Sequence, residues 1–285
     1  MAAACCGGER NRTMKCPNCG RDNSNAATRC VSCGSKLTGT EQITANGLKA
    51  VTAGGAVFGK KAREARISEI TDPGLIISDR AYNGVIGGVL LWGLLINYFL
   101  CLKVGSFYNL FPDMNPTLFL VCYIVLVIIG MIMAFKAESP LISFAGYNLV
   151  VIPFGIVIAT IVEAYGGISS TAVTQAFLYT LLVTVAITAT VIVFPKAFER
   201  IGSALGIALG ALILCEILML VFGVRQQWTS WIAAGLFSMY LGYDIYRSQM
   251  YPKTIKNAVA SALDIYMDLA NLFIRILEII GKKDD

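Results

Sequence analysis

The chain contains no histidine. The side chain that ordinarily titrates near neutrality is therefore missing. Any proton sensing near pH 7 falls to carboxylates in unusual surroundings, and any zinc site must be built from cysteine. Charge is scarce as well: Asp, Glu, Lys and Arg make up 14% of the 285 residues, against about 25% in a soluble domain. The net charge of +5 is scattered between apolar runs, so it reads as a membrane-orientation signal and no nucleic-acid partner is expected. The first 40 residues hold no apolar core of signal-peptide length, and insertion is expected to use the first true span. No nucleophile elbow, phosphate loop or catalytic histidine is visible, so an enzyme is not expected. Paired membrane aspartates do occur in intramembrane proteases, which makes a cleavage assay one useful control.

What is present is apolar length. Hydrophobic residues make up 56% of the chain, with mean hydropathy +0.67. Uncharged runs cover 81–102, 115–135, 141–162 and 173–194, the last lying inside a longer uncharged stretch at 164–195. The run 201–224 carries one charge, Glu216, and 226–243 is uncharged up to Asp244. Each matches the ~20 residues that cross ~30 Å of hydrocarbon. A seventh segment, 258–280, carries Asp264, Asp268, Arg275 and Glu278. It fails a hydropathy test alone but suits the centre of a bundle, where other helices shield it from lipid. The expected fold is an all-α polytopic membrane protein, a seven-helix bundle over 81–285 with six helices around a central seventh. Gly202, Gly206 and Gly210 form GxxxGxxxG and read as a helix-packing face; Pro153 and Gly155 read as a mild kink and packing.

Flanking charges set the orientation. With the N-terminus inside, the inner segments hold Lys61, Arg63, Arg66, Arg80, Lys136, Lys196, Arg200, Arg247, Lys253 and Lys256. The outer ones hold Lys103, Arg225, Lys282 and Lys283. The bias favours a cytoplasmic N-terminus, with Trp228 and Trp231 in an outer interfacial belt.

The N-terminal region divides in three. Residues 1–13 are small, polar and patternless, and read as disordered or as an upstream-start artefact. Residues 14–37 hold Cys16, Cys19, Cys30 and Cys33 as C-P-N-C-G and C-V-S-C-G, ten residues apart. Two such knuckles place four thiolates at the corners of a tetrahedron, and the following glycines permit the tight turns. A structural zinc ribbon is the expectation; a redox pair and disulfides are the alternatives. Four cysteines leave zinc no open position, which points to docking or assembly with a protein partner. Residues 38–80 read as a flexible linker, in which KKAREARISEI forms either a basic helix on the membrane face or a solvated turn. The remaining cysteines in the apolar runs, Cys101, Cys122 and Cys215, read as small hydrophobic fillers.

Acids inside apolar segments are costly and each is a functional candidate. Asp244 lies near the inner end of the sixth run; Asp268 lies twelve residues past Lys256, or ~18 Å along a helix. They reach equal depth only if the seventh helix starts below the membrane. Asp264, one turn nearer the inner surface, reads as a second ion ligand or a solvated mouth residue. Glu216 and Glu163, in the outer halves of their spans, form either an acidic vestibule for cations or snorkelling acids, paired with Lys103 or Arg225.

The last 45 residues carry a family resemblance. FSMYLGYDIYRSQ followed by SALDIYMDLANLFIRILEIIG resembles the final-helix signature of the Bax inhibitor-1 (YccA-like) family, here through Tyr243, Asp244, Tyr266, Asp268, Asn271, Leu272, Phe273, Leu277 and Gly281. QAFLYT and FPKAFERIGSAL agree more weakly. The resemblance covers about 81 to the end and implies six helices around a seventh and a pH-sensitive calcium leak. It further implies an aspartate pair at Asp244 and Asp268, sharing a proton and gating the pore. Two carboxylates in a low-dielectric site cannot both ionise cheaply and titrate as a unit. Sharing a proton, they lock the sixth helix to the seventh; fully ionised, they repel and offer oxygens to Ca²⁺. The chain departs from the family where some members carry an arginine latch near the inner end of the second span. The nearest candidate here is Lys136, a point charge without the planar fork. The rival expectation is a non-transporting membrane regulator that recruits a partner through its ribbon.

Overall fold

A computed structural model of the chain describes residues 13–16, 18–24, 30, 32–33, 35, 66–67, 71, 73–103, 113, 115–223 and 227–281. The expectations for residues 1–12 and for most of the linker before Arg66 lie outside the described residues.

Two short antiparallel strands open the chain, β1 (Thr13–Lys15) and β2 (Asp22–Ser24), with Met14 opposite Asn23. A 3₁₀ turn at Pro73–Leu75 precedes seven helices. They are α1 (Asp79–Lys103), α2 (Pro116–Lys136), α3 (Pro140–Ala164), α4 (Thr171–Val193), α5 (Pro195–Val221), α6 (Gln227–Ser248) and α7 (Ile255–Gly281). The boundaries have local causes. Asn115 accepts from the Thr117 amide and Ser170 from the Val173 amide, capping α2 and α4, while Pro116 and Pro140 sit where a missing N–H costs nothing. Along α4, Thr180, Thr184, Thr188 and Thr190 each donate to the carbonyl four residues back, so hydroxyls in an apolar segment stay satisfied.

Helices α1 to α5 are long and apolar enough to cross a membrane. Their exposed faces are apolar, as at Leu118, Leu182, Val185, Ile192 and Ile207, and suit lipid rather than water. The chain is an integral membrane protein. The expectation that the sixth run is equally apolar is corrected: α6 does not reach that standard. Its polar residues Thr229, Ser230, Asp244, Arg247 and Ser248 are buried among other helices, so α6 serves the interior more than the lipid.

The seventh helix is the central one. It packs against α1, α2, α3, α4 and α6, and Tyr266, Leu272, Ala262 and Leu277 are fully enclosed. The ring is less even than six around one: α5 packs on α6 and α4, and reaches α7 through an ion pair.

The closest helix approach is not at the GxxxGxxxG face. A Cβ on Gly206 or Gly210 meets nothing within 4 Å, and Gly202 alone of the three is a contact, covered by the Tyr243 ring. The tight crossing is α2 on α3, where a Cβ on Gly146 would lie 2.5 Å from the Ala134 amide nitrogen and 2.6 Å from the Gly130 carbonyl oxygen. Gly155 does pack as expected, against Asn97 and Leu100 of α1.

The α6–α7 turn is closed over. Tyr251, Pro252, Lys253 and Thr254 are all buried, and the Ile77 amide donates to the Lys253 carbonyl at 2.8 Å. Among the described residues of the connector, Arg66 and Ile77 thus contact α7 and the α6–α7 turn.

Candidate functional site

The four ribbon cysteines converge. Their sulfurs all lie within 4.8 Å of one another, with Cys16–Cys33 and Cys19–Cys30 each at 3.5 Å. A zinc–sulfur bond of ~2.3 Å implies tetrahedral sulfur separations of about 3.8 Å, whereas a disulfide needs ~2.05 Å. The spacing fits a metal and not cross-links. The knuckle amides of Asn18 and Ser32 point at the Cys16 and Cys30 sulfurs at 3.4 Å. Burial alone would push the Cys30 thiol up. The Cys33 and Ser32 amides outweigh it and bring Cys30 down to about 6, while burial pushes Cys19 up. Left to themselves, the four sulfurs divide their protons unevenly; a divalent cation is what allows all four to be thiolates together. Cys16, Cys19, Cys30 and Cys33 therefore fit zinc.

The second centre lies where α6 meets α7. Asp244 and Asp268 are both buried, each 7% exposed. Their relative depth follows from one hydroxyl. Tyr82 of α1 donates to the Ser248 carbonyl at 2.9 Å and its oxygen lies 3.3 Å from the Ser261 hydroxyl, so residues 248 and 261 of the antiparallel pair are level. Four residues up from 248 is Asp244, and four up from 261 is 265. Asp244 is thus about level with Asp264, and Asp268 is three residues beyond 265, or ~4.5 Å further along. The condition for equal depth is nearly met because α7 starts six residues before Ser261, ~9 Å beyond the end of α6.

Asp264 is partly exposed and has a partner. Arg66 of the connector reaches its Oδ2 at 3.3 Å, with side chains only 12% and 20% exposed. The Arg66 guanidinium lies 4.0 Å from the Tyr251 ring centre and 5.3 Å from that of Phe135. Burial pushes the Tyr251 phenol up, and four charges act on it: Arg66 and Arg247 lower it, Asp264 and Asp244 raise it. The Arg66 and Arg247 guanidinium carbons lie 4.0 and 5.8 Å from this ring's centre. Arg247 also donates to the Tyr243 hydroxyl. Lys136 is exposed at the end of α2; the guanidinium beside that end, over Phe135, belongs to Arg66.

At the other end of α7 the acids have partners that the sequence did not pair. Glu216 Oε2 accepts from Arg275 Nη2 at 2.9 Å, and the ion pair brings Oε1 within 2.8 Å of the same nitrogen. Arg275 also donates to Glu278 at 3.2 Å, and Glu278 accepts from Ser230 at 2.8 Å. Glu216 is thus paired with an arginine on the central helix. Glu163 is exposed at the end of α3. Replacing Arg275 with Met strands two acids inside the bundle. Breaking a buried pair costs about 3–5 kcal/mol; with these side chains 18–26% exposed, we expect roughly 2–3 kcal/mol. Thermal unfolding in detergent measures it, and adding Glu216→Gln and Glu278→Gln should recover part of the loss. An Arg275→Met protein as stable as the parent would remove this network from the account.

Residues 78–285 match the family model described as inhibitor of apoptosis-promoting Bax1. The chain belongs to this Bax inhibitor-1 family. A search of curated proteins returns no match to it. The family match spans all seven helices and both buried aspartates, while the cysteine ribbon and Arg66 lie before it. Three contributors to the site escaped sequence reasoning: Arg66, Tyr82 and Tyr251. KKAREARISEI holds four basic residues, and nothing in it marked Arg66 above its neighbours. Deeper in the bundle, Asn97 donates to the Tyr266 hydroxyl at 2.7 Å, and the Tyr266 ring meets Tyr147 and Phe154 edge-on. The signature tyrosine thus pins α7 to α1 and α3.

Proposed function

We propose that this Bax inhibitor-1 family member is a pH-sensitive cation leak with calcium as the permeant ion, gated by Asp244 and Asp268. Transport is thus preferred to catalysis, and the ribbon is assigned to the cytoplasmic side. One observation carries the reading: two buried carboxylates on adjacent helices lie within about a turn of the same depth. Proton sharing across such a pair ties α6 to α7, and loss of the shared proton leaves two like charges that only a cation or separation relieves. The proton then acts as a ligand of one of two states.

Calcium flux into proteoliposomes is the test. Flux is expected to depend on pH, and Asp244→Asn or Asp268→Asn to flatten that dependence. Both variants keeping the parent's pH profile would end the dyad reading. A second reading, a non-transporting regulator, is favoured by the position of the closed four-cysteine set outside the family match. It requires no flux from the purified protein and a partner captured only when the ribbon is intact.

A further inference from the structure

Arg66 lies twelve residues before the family match begins, yet its side chain sits between α2, α7 and the α6–α7 turn. We propose that Arg66 is a tethered cation that plugs the mouth beside Asp264, so that the chain's own N-terminal extension restrains the leak. This rests on the transport reading above.

Three observations carry it. First, the placement is that of a bound cation: Nη1 is 3.3 Å from Asp264 Oδ2, and the guanidinium lies over the faces of Tyr251 and Phe135. Asp264 stands level with Asp244 by the register above, and both acids act on the same tyrosine. A metal cation using an Asp264 oxygen must therefore displace Arg66. Second, the plug is incompletely satisfied. Arg66 Nε and Nη2 are buried without a hydrogen-bond partner among the described residues. A guanidinium has five N–H donors in a rigid fork, and leaving buried ones unmade offsets much of what the ion pair and ring contacts contribute. Among the described residues, the contact thus leaves part of the guanidinium unpaired. Third, the extension is also tied down between Arg66 and the bundle, through the Ile77 amide on the Lys253 carbonyl. Release of Arg66 leaves this second tether in place.

The test has two arms on the full chain. Trypsin cuts after an arginine only when the side chain is free to enter its pocket. Cleavage at the Arg66–Ile67 bond, followed by mass spectrometry, should be slow in the parent and roughly tenfold faster in Asp264→Asn. In proteoliposomes at fixed pH, Arg66→Gln should raise calcium flux several-fold, and Arg66→Asp combined with Asp264→Arg should return it toward the parent value. Equal cleavage of parent and Asp264→Asn overturns the docking. A conducting parent whose flux is unchanged by Arg66→Gln overturns the plug while leaving the leak intact. Parent and Arg66→Gln both silent overturns the leak, and the plug with it.

Discussion

The purified chain is expected to carry one zinc ion, and to lose it entirely when Cys16 and Cys33 are both replaced by serine. A closed four-cysteine site contributes its metal affinity directly to folding, on the order of 10–16 kcal/mol near neutral pH, and so small a segment has no apolar core to replace it. Four sulfurs within 4.8 Å of one another and the amides of Asn18 and Ser32 are already arranged for it. Zinc released on denaturation, titrated with a coloured chelator, gives the stoichiometry. Acid should strip the metal, because protons compete for thiolates. Helicity of the bundle should hardly change, since α1 to α7 draw no residue from the ribbon. Parent protein without zinc, or a double variant that keeps it, would remove the ribbon from the description.

A second large effect is expected from Gly146→Leu. The first atoms a side chain meets there are the Ala134 amide nitrogen and the Gly130 carbonyl oxygen, backbone of α2 that cannot rotate aside. Overpacking into a flexible core costs about 1–3 kcal/mol; against backbone we expect roughly 3 kcal/mol or more, because α2 and α3 must separate. Gly206→Leu is the contrast. With nothing within 4 Å of its Cβ position, it should stay within about 0.5 kcal/mol of the parent. Unfolding temperatures of the two variants, measured side by side, decide the matter. Equal losses would mean that the GxxxGxxxG face is the real contact.

These two glycines illustrate what the sequence can carry. Apolar length and the acids of 258–280 were enough to expect a bundle with its last helix at the centre, because burial and hydrocarbon thickness act on composition over ~20 residues. The four cysteines carried their geometry in their spacing. Pairing between distant residues was another matter. Arg66 and Asp264 are 198 residues apart, and Glu216 and Arg275 are 59 apart; no local pattern marks either pair. The GxxxGxxxG spacing names a face that permits close approach, not the helix that approaches it, and α5 turned that face away except at Gly202. Helix α6 looked uncharged and therefore apolar, yet its serines and threonine made it an interior helix. The depth of Asp268 against Asp244 depended on where α7 begins relative to α6, which Tyr82 from a third helix records.

That tyrosine limits how the bundle can move. One phenolic oxygen holds α6 by the Ser248 carbonyl and α7 by the Ser261 hydroxyl. A piston-like slip of one helix past the other, ~5.4 Å for a single turn, would break at least one of the two contacts. Swinging the two helices about that point breaks neither. The contact at residue 82 thus acts as a rivet that resists sliding of the two helices more than rotation about that point.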